Sequence, residues 1–296
     1  MIKLNNSPIE KISFNDKSFL VKRDDLLHKD FSGNKARKFH YFLENDFPNI
    51  DTLISHGSNQ SNAMYSLSVL CKLKGWKFIY YTDHIPSYLE QNPQGNYKYA
   101  LENGMDLRVL GSGFRIQDLE TETNELFISE GGAVDEAQYG LEILANEIKE
   151  YQHKNNIEDL KVFLPSGTGT TALYLQKFLD IEVLTTPCVG DSEYLKKQFQ
   201  DLIKDELPTT RYSLPTILNP PKKFHFGKLY KENYKIWQEL KKHTNIEFDL
   251  LYDPVGWQTL LSHYQLPTTN YPLLYIHQGG LIGNETMIQR YERKVK

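Results

Sequence analysis

Short apolar runs alternate with longer stretches whose apolar residues recur every three or four positions. That alternation predicts α/β layers. Residues 19–23 (Phe-Leu-Val-Lys-Arg) read as a strand. Residues 33–45 read as a helix, with Ser32 placed to cap it and Phe39, Phe42 and Leu43 on its apolar face. Thr52-Leu53-Ile54-Ser55 reads as a strand, 56–61 as a turn, and the chain to Lys74 as a helix carrying Ala63, Leu67, Leu70 and Cys71. Phe78-Ile79-Tyr80-Tyr81, Leu107-Arg108-Val109-Leu110 and Leu126-Phe127-Ile128-Ser129 complete a first strand set, with a helix at 94–103 stopped by Gly104. The spacing suits a small parallel sheet.

A second set follows. The pattern predicts a helix at 137–151, a strand at 162–164, a helix at 172–179 and a strand at 181–184. It then predicts helices at 228–243 and 255–264 and a last strand at 273–276. Two open-sheet α/β domains are expected. No repeat, low-complexity tract or long linker interrupts them. Both glycine-containing polar turns, 56–61 and 165–171, fall at the carboxyl ends of predicted strands, where open α/β sheets bind ligands.

Composition changes this picture little. The chain has 296 residues, 40% apolar and 24% charged, enough for a substantial core. Its formal charge of −4 and its lack of a basic stripe exclude nucleic acid as the expected partner. The paired lysines at 196–197, 222–223 and 241–242 read as solvated faces. Its two cysteines, Cys71 and Cys188, belong to no metal-type cluster, and Cys71 reads as a buried, inert thiol. No apolar run reaches the length of a membrane span, and residues 1–6 lack the apolar core of a secretion signal. A soluble, cytoplasmic protein is expected.

Candidate chemistry concentrates in three places. In Pro165-Ser166-Gly167-Thr168-Gly169-Thr170-Thr171, glycines allow close approach of an anion. The following helix start offers unpaired N–H groups, and Ser166, Thr168, Thr170 and Thr171 add hydroxyl donors. This suits a phosphate monoester, and it matches neither a P-loop nor a dinucleotide fingerprint. A plain glycine-rich turn reads the same way. Asn59-Gln60-Ser61-Asn62 caps another helix and holds more polar side chains than a cap needs. Lys35, in Ser32-Gly33-Asn34-Lys35-Ala36-Arg37-Lys38, stands near a helix start, where the dipole disfavours a cation. Desolvated, such a lysine becomes a nucleophilic amine. An amine together with a phosphate site points to pyridoxal 5′-phosphate.

The order of these pieces resembles the pyridoxal-phosphate enzymes of fold type II (tryptophan-synthase-β-like). Within them it resembles the 1-aminocyclopropane-1-carboxylate (ACC) deaminase/D-cysteine desulfhydrase family. Lys22-Arg23-Asp24-Asp25, the 32–38 stretch, Gly57 to Asn62, Glu130-Gly131-Gly132, Ser166 to Thr171, His225-Phe226-Gly227, Asp253-Pro254-Val255 and His277-Gln278-Gly279-Gly280 carry the resemblance almost end to end. It implies a larger cofactor-binding domain of residues 1–45 and 146–296, a smaller domain of residues 46–145, and a homodimer. Lys35 would hold the cofactor as an internal aldimine and move the Cα proton. Asn62 would bond the ring hydroxyl oxygen. Ser61 would assist proton transfer or bind substrate carboxylate with Asn59 and Gln60. Ser166, Gly167, Thr168, Gly169, Thr170 and Thr171 would cradle the phosphate.

This chain departs from the family at the far side of the site. Gly256 stands where a tyrosine is usual, and Phe226 where a second tyrosine is usual. Trp257 would then face the pyridine nitrogen, where it cannot accept a hydrogen bond; a local slip would bring Gln258 or Thr259 there instead. Phe226 and Trp257 are accordingly expected beside the substrate. The departures argue against opening of the ACC ring and for D-cysteine desulfhydration or a related β-elimination from a small amino acid, D-configured substrates included, or equally for a divergent member acting on another amino acid. Two alternatives stand beside this: a catalytically degenerate protein that binds the cofactor or an amino acid, and an enzyme of another phosphorylated ligand in which Lys35 only neutralises charge.

Overall fold

The computed structural model describes Leu4 and residues 6–111, 116–204, 213–264 and 272–295. The chain opens with a hairpin, β1 (Ile9–Phe14) and β2 (Lys17–Arg23), turned through Asn15 and Asp16 in left-handed backbone. The sequence pattern signalled only the second of these strands. Two short helices follow, α1 (Gly33–Lys38) and α2 (His40–Glu44). The helix expected over 33–45 is therefore broken at Phe39, whose backbone is not helical.

The smaller sheet comes next. It comprises β3 (Thr52–His56), α3 (Asn62–Lys74), β4 (Lys77–Thr82), the short α4 (Ser87–Gln91), α5 (Gly95–Glu102), β5 (Met105–Val109) and β6 (Glu125–Ile128). Its strands are all parallel, in the order β5-β4-β3-β6. The chain returns through α6 (Ala137–Lys154) to β7 (Lys161–Ser166), α7 (Thr170–Phe178), β8 (Val183–Pro187), α8 (Ser192–Ile203), β9 (Thr216–Ile217), α9 (Lys231–Thr244), α10 (Asp253–His263), β10 (Leu273–His277) and α11 (Gly283–Val295). The larger sheet runs β1-β2-β10-β7-β8-β9, parallel except for β1. The expected α/β class with two open sheets is the observed one.

Cores follow the sheets. Leu53, Leu67, Leu70 and Phe78 pack against the smaller sheet together with Ala36, Phe39, Phe42 and Leu43. The residues of α1 and α2, placed in the larger domain by the 1–45 boundary, thus contribute their apolar side chains to the core of the smaller sheet. The face of α6 bearing Leu141, Leu144 and Ile148 packs with Val162, Leu164 and Leu274 of the larger sheet. On that sheet's other side Phe14, Phe19, Phe248, Trp257 and Tyr275 form an aromatic core.

The carboxyl ends of β2, β10 and β7 lie side by side, and β3 and β6 end likewise in the smaller sheet. Segments 24–38, 57–62, 130–132, 166–171 and 278–282 all leave these ends, and they converge between the sheets. Among the described residues no helix is long and apolar enough to cross a membrane, and no cluster of His, Cys, Asp and Glu suits a metal ion.

Candidate active site

Lys35 lies on α1, and α1 is anchored from behind by buried charge. Arg37 donates to Asp24 at 2.9 and 3.0 Å and to Glu147 of α6 at 2.7 and 2.9 Å. Lys22 pairs with Glu147 at 2.6 Å. Buried ions hold only when mutually paired, and here the pairing joins β2, α1 and α6. From the other side, Asn34 donates its N–H to the Gln278 carbonyl at 2.9 Å and its side-chain amide to Gln278 Oε1 at 3.0 Å. Gln278 Nε2 donates to the Pro165 carbonyl at 2.6 Å. One glutamine thus ties the start of the lysine helix to the strand that feeds the 166–171 turn.

The amine of Lys35 donates to the Gly131 carbonyl at 2.9 Å, and that of Lys38 donates to the same oxygen at 3.0 Å. Gly131 in turn lies against Thr168, whose Cγ2 stands 3.0 Å from where a Gly131 side chain would begin. The two amines are therefore one residue away from the predicted phosphate turn. Burial lowers the Lys35 amine to about 8, against the opposing pull of the Glu130 carboxylate. Burial and the neighbouring Lys35 push Lys38 well down. Sequence reasoning passed over Lys38, although it lies three residues from Lys35 and so on the same helical face.

The turn itself combines a glycine in left-handed backbone with hydroxyl side chains. Gly169 adopts φ +75 and caps α7, and a side chain there would strike Phe199 at 2.5 Å and Leu195 at 2.7 Å. Only glycine combines that backbone with that space. The hydroxyls of Thr168 and Thr170 lie 3.0 Å apart. Gly167 and Thr168 are half-buried, whereas Thr170 and Thr171 are buried. Ser166 departs from its expected role. Thr185 spends its hydrogen on the Leu164 carbonyl at 2.8 Å, so the buried Ser166 hydroxyl donates to Thr185 at 2.7 Å, towards the neighbouring strand.

On the smaller domain Ser61 caps α3, accepting from the N–H groups of Ala63 and Met64 at 3.1 and 3.4 Å. Its hydroxyl also bonds the buried Tyr80 phenol. Asn59 Nδ2 donates to the His84 carbonyl, and Gln60 Nε2 donates to the Gln94 carbonyl. The Gln60 Oε1 atom is buried without a partner. The side chain of Asn62 touches Gly280, its Nδ2 standing 2.5 Å from the point a Gly280 side chain would take. Gly280 has φ +85 and follows Gly279, whose N–H donates to His277 Nδ1 at 3.1 Å. The other ring nitrogen of His277 then donates to the Glu247 carbonyl at 2.7 Å, and burial keeps the ring neutral.

The substrate-side expectations separate. Phe226 is 46% exposed and packs on Tyr252 with ring centroids 5.3 Å apart. Trp257 is 0% exposed, stacked on Tyr275 at 4.5 Å and edge-on to Phe14, Phe19 and Phe248; it is a core residue and not part of the cleft wall. The two slipped alternatives are also engaged elsewhere. Gln258 bonds Asn233 and the Pro254 carbonyl, and Thr259 is buried on the Val255 carbonyl and Thr186. The cause is visible at Gly256. A side chain there would meet the Tyr275 hydroxyl at 2.9 Å and Pro165 at 3.2 Å, because Tyr275 reaches across to Asp253 at 2.6 Å.

Two groups unforeseen in the sequence stand near that side instead. The Tyr252 ring lies against Gly167, with its hydroxyl 3.5 Å from the point where a Gly167 side chain would begin. Asp249 is 4% exposed and accepts from the N–H groups of Leu251 and Tyr252 with Oδ1. Its Oδ2 lies 3.2 Å from the same Gly280 point that Asn62 approaches. Burial pushes Asp249 and its neighbour Asp253 upward, and their closeness keeps both from ionising together. Burial also pushes the thiols of Cys71 and Cys188 up, so neither is a thiolate nucleophile.

No family model and no curated protein sequence matches the chain. Solved structures do. A structure described as an ACC deaminase homologue superposes with a TM-score of 0.80 at 19% identity, over 96% of this chain and 92% of that one. A hydrogen sulfide-producing enzyme from Fusobacterium nucleatum gives 0.64 at 14% identity over 93% of each chain. Serine racemase from Dictyostelium discoideum gives 0.67 at 13% identity, over 94% and 93%. At these identities the likeness establishes the fold, and the fold is the two-domain one expected from the resemblance.

Proposed function

We propose that this protein is a pyridoxal-phosphate-dependent lyase or deaminase that removes the Cα proton of a small amino acid and eliminates its β-substituent, D-configured substrates included. One observation carries the reading: a half-buried lysine amine, lowered to about 8, stands one carbonyl away from a glycine-hydroxyl turn at a helix start. The residues fit the cofactor. Two enclosed amines share the Gly131 carbonyl beside Thr168, and a phosphate dianion there would favour the charged form of a neighbouring amine.

When bound, the cofactor supplies an electron sink for charge developing at Cα. The protein supplies the rest. Lys35 offers the amine that takes the cofactor aldehyde and, once released, a base at Cα. Lys38, Gly167, Thr168 and Gly169 hold the phosphate. Asn62 meets the ring hydroxyl oxygen. Ser61, with the Gln60 and Asn59 turn, receives the substrate carboxylate. Asp249 offers a carboxyl oxygen at the polar edge of the ring. The phenol of Tyr252 lines the side where Phe226 has none.

Purified protein incubated with small D- and L-amino acids bearing β-leaving groups should release a 2-oxo acid with ammonia, and sulfide from cysteine. ACC is expected to be turned over poorly or not at all. A second reading, cofactor binding without turnover, is favoured by the retreat of Trp257, Gln258 and Thr259 from the cleft. It predicts borohydride fixation of the cofactor to Lys35 with no product from any amino acid.

A further inference from the structure

Asn96 carries an inference that rests on the pyridoxal-phosphate reading and deepens it. It lies in the first turn of α5, 1% exposed. Its Nδ2 donates to the Gln60 backbone carbonyl at 2.9 Å and to Asn62 Oδ1 at 2.7 Å. A backbone carbonyl only accepts, so the first bond settles which end of the Asn96 amide is nitrogen. That nitrogen then requires an oxygen from Asn62, and the Asn62 nitrogen is left as the free end. It points to Gly280, beside Asp249 Oδ2. A flipped Asn62 would bring its nitrogen to the Asn96 nitrogen, so that the 2.7 Å hydrogen bond would be lost and two donors would meet.

The start of α5 is itself held from both domains. A side chain at Gly95 would meet Thr286 of α11 at 2.9 Å and Gln60 Oε1 at 3.0 Å. The helix start therefore sits between the 59–62 turn and a helix of the larger domain.

We propose that Asn96 is a positioning residue: it locks the Asn62 amide so that the smaller domain presents a hydrogen-bond donor, and not an acceptor, to the hydroxyl oxygen of the cofactor ring. The donor is chosen by a backbone carbonyl two bonds away, not by the ligand.

The test reconstitutes the full chain with pyridoxal phosphate and compares wild type with Asn96→Ala, Asn96→Ser, Asn96→Asp and Asn62→Asp. It reads the cofactor's dissociation constant, the visible band of the Lys35-bound cofactor and borohydride fixation to Lys35. In Asn96→Ala and Asn96→Asp the cofactor should bind roughly tenfold more weakly, the scale of one lost hydrogen bond. Intensity should also move from the long- to the short-wavelength band. Asn62→Asp, which still accepts from Asn96 but has no donor, should show the same spectral change. A merely structural defect lowers thermal stability and leaves the band of bound cofactor in place. If Asn96→Ala does not fold, Asn96→Ser, which keeps a donor near the Gln60 carbonyl, serves in its stead. Unchanged affinity and band in the Asn96 variants, with wild-type cofactor fixed on Lys35, would overturn the positioning role alone. No fixed cofactor on wild type would overturn the pyridoxal-phosphate reading and this inference together.

Discussion

Lys35 and Lys38 place their amines on a single oxygen, the Gly131 carbonyl, at 2.9 and 3.0 Å. Burial lowers the Lys35 amine to about 8 and so makes it nucleophilic near neutrality, while Lys38, buried beside Lys35, is pushed well down. Cofactor capture by the apoprotein should therefore speed up as pH rises through about 8 and level off above it. Glu130 favours the charged amine, so Glu130→Gln should move the midpoint to lower pH. Stopped-flow absorbance across pH reads both. A midpoint near that of free lysine would remove the physical basis of the site.

Arg37 should matter to stability and to Lys35 alike. Arg37→Met leaves Asp24 and Glu147 facing each other with Lys22 as the remaining cation. Breaking a buried network this way costs about 3–5 kcal/mol. Urea unfolding should show that loss, and the pH midpoint of cofactor capture should broaden as α1 loosens. Arg37→Lys should recover little, because one ammonium cannot make two bidentate pairs.

The fold was legible from the sequence wherever a segment's own pattern decided its structure. The buried strands 52–55 and 273–276 and the glycine turns are of that kind. What escaped was set by partners distant in sequence. Strand β1 became visible only through its pairing with β2, and α8, at 192–203, through the packing of Leu195 and Phe199 beneath Gly169. The site divides in the same way. Lys35 and Asn62 carry local signals. Trp257 reads like a site residue from the family resemblance, yet lies in the core because Tyr275, from β10, fills the space beside Gly256. Asp249 carried no signal, since its role depends on Gly280 and Asn62 arriving from elsewhere.

Asp249 should leave a mark on the pH dependence of folding. Its carboxyl is raised in the folded protein by burial, so the unfolded chain ionises first as pH rises. Its stabilising contribution is fully present below about pH 4, the unfolded value, and is lost as pH climbs through the folded value. Asn at 249 has no proton to lose. The stability difference between apo wild type and Asp249→Asn should therefore shift in favour of the variant between about pH 4 and neutrality. Chemical denaturation at several pH values measures it, and a pH-independent difference would contradict the raised carboxyl of Asp249.

Gly256 offers the sharpest check on why the far side of the site differs from the family pattern. A side chain there would stand 2.9 Å from the Tyr275 hydroxyl and 3.2 Å from Pro165. Both neighbours are fixed, the hydroxyl by its 2.6 Å bond to Asp253 and the proline by its place on β7. Restoring a tyrosine with Gly256→Tyr should therefore overpack α10 and destabilise the protein by at least the usual 1–3 kcal/mol. Tyr275→Phe removes the hydroxyl that blocks the way but leaves Asp253 without that donor. In the double variant the first effect relieves the overpacking, so the two losses should combine to less than their sum, by about 0.5–3 kcal/mol. A double-mutant cycle by urea denaturation tests this. Strict additivity would mean that Tyr275 does not exclude a side chain at 256, and that the missing tyrosine needs another cause.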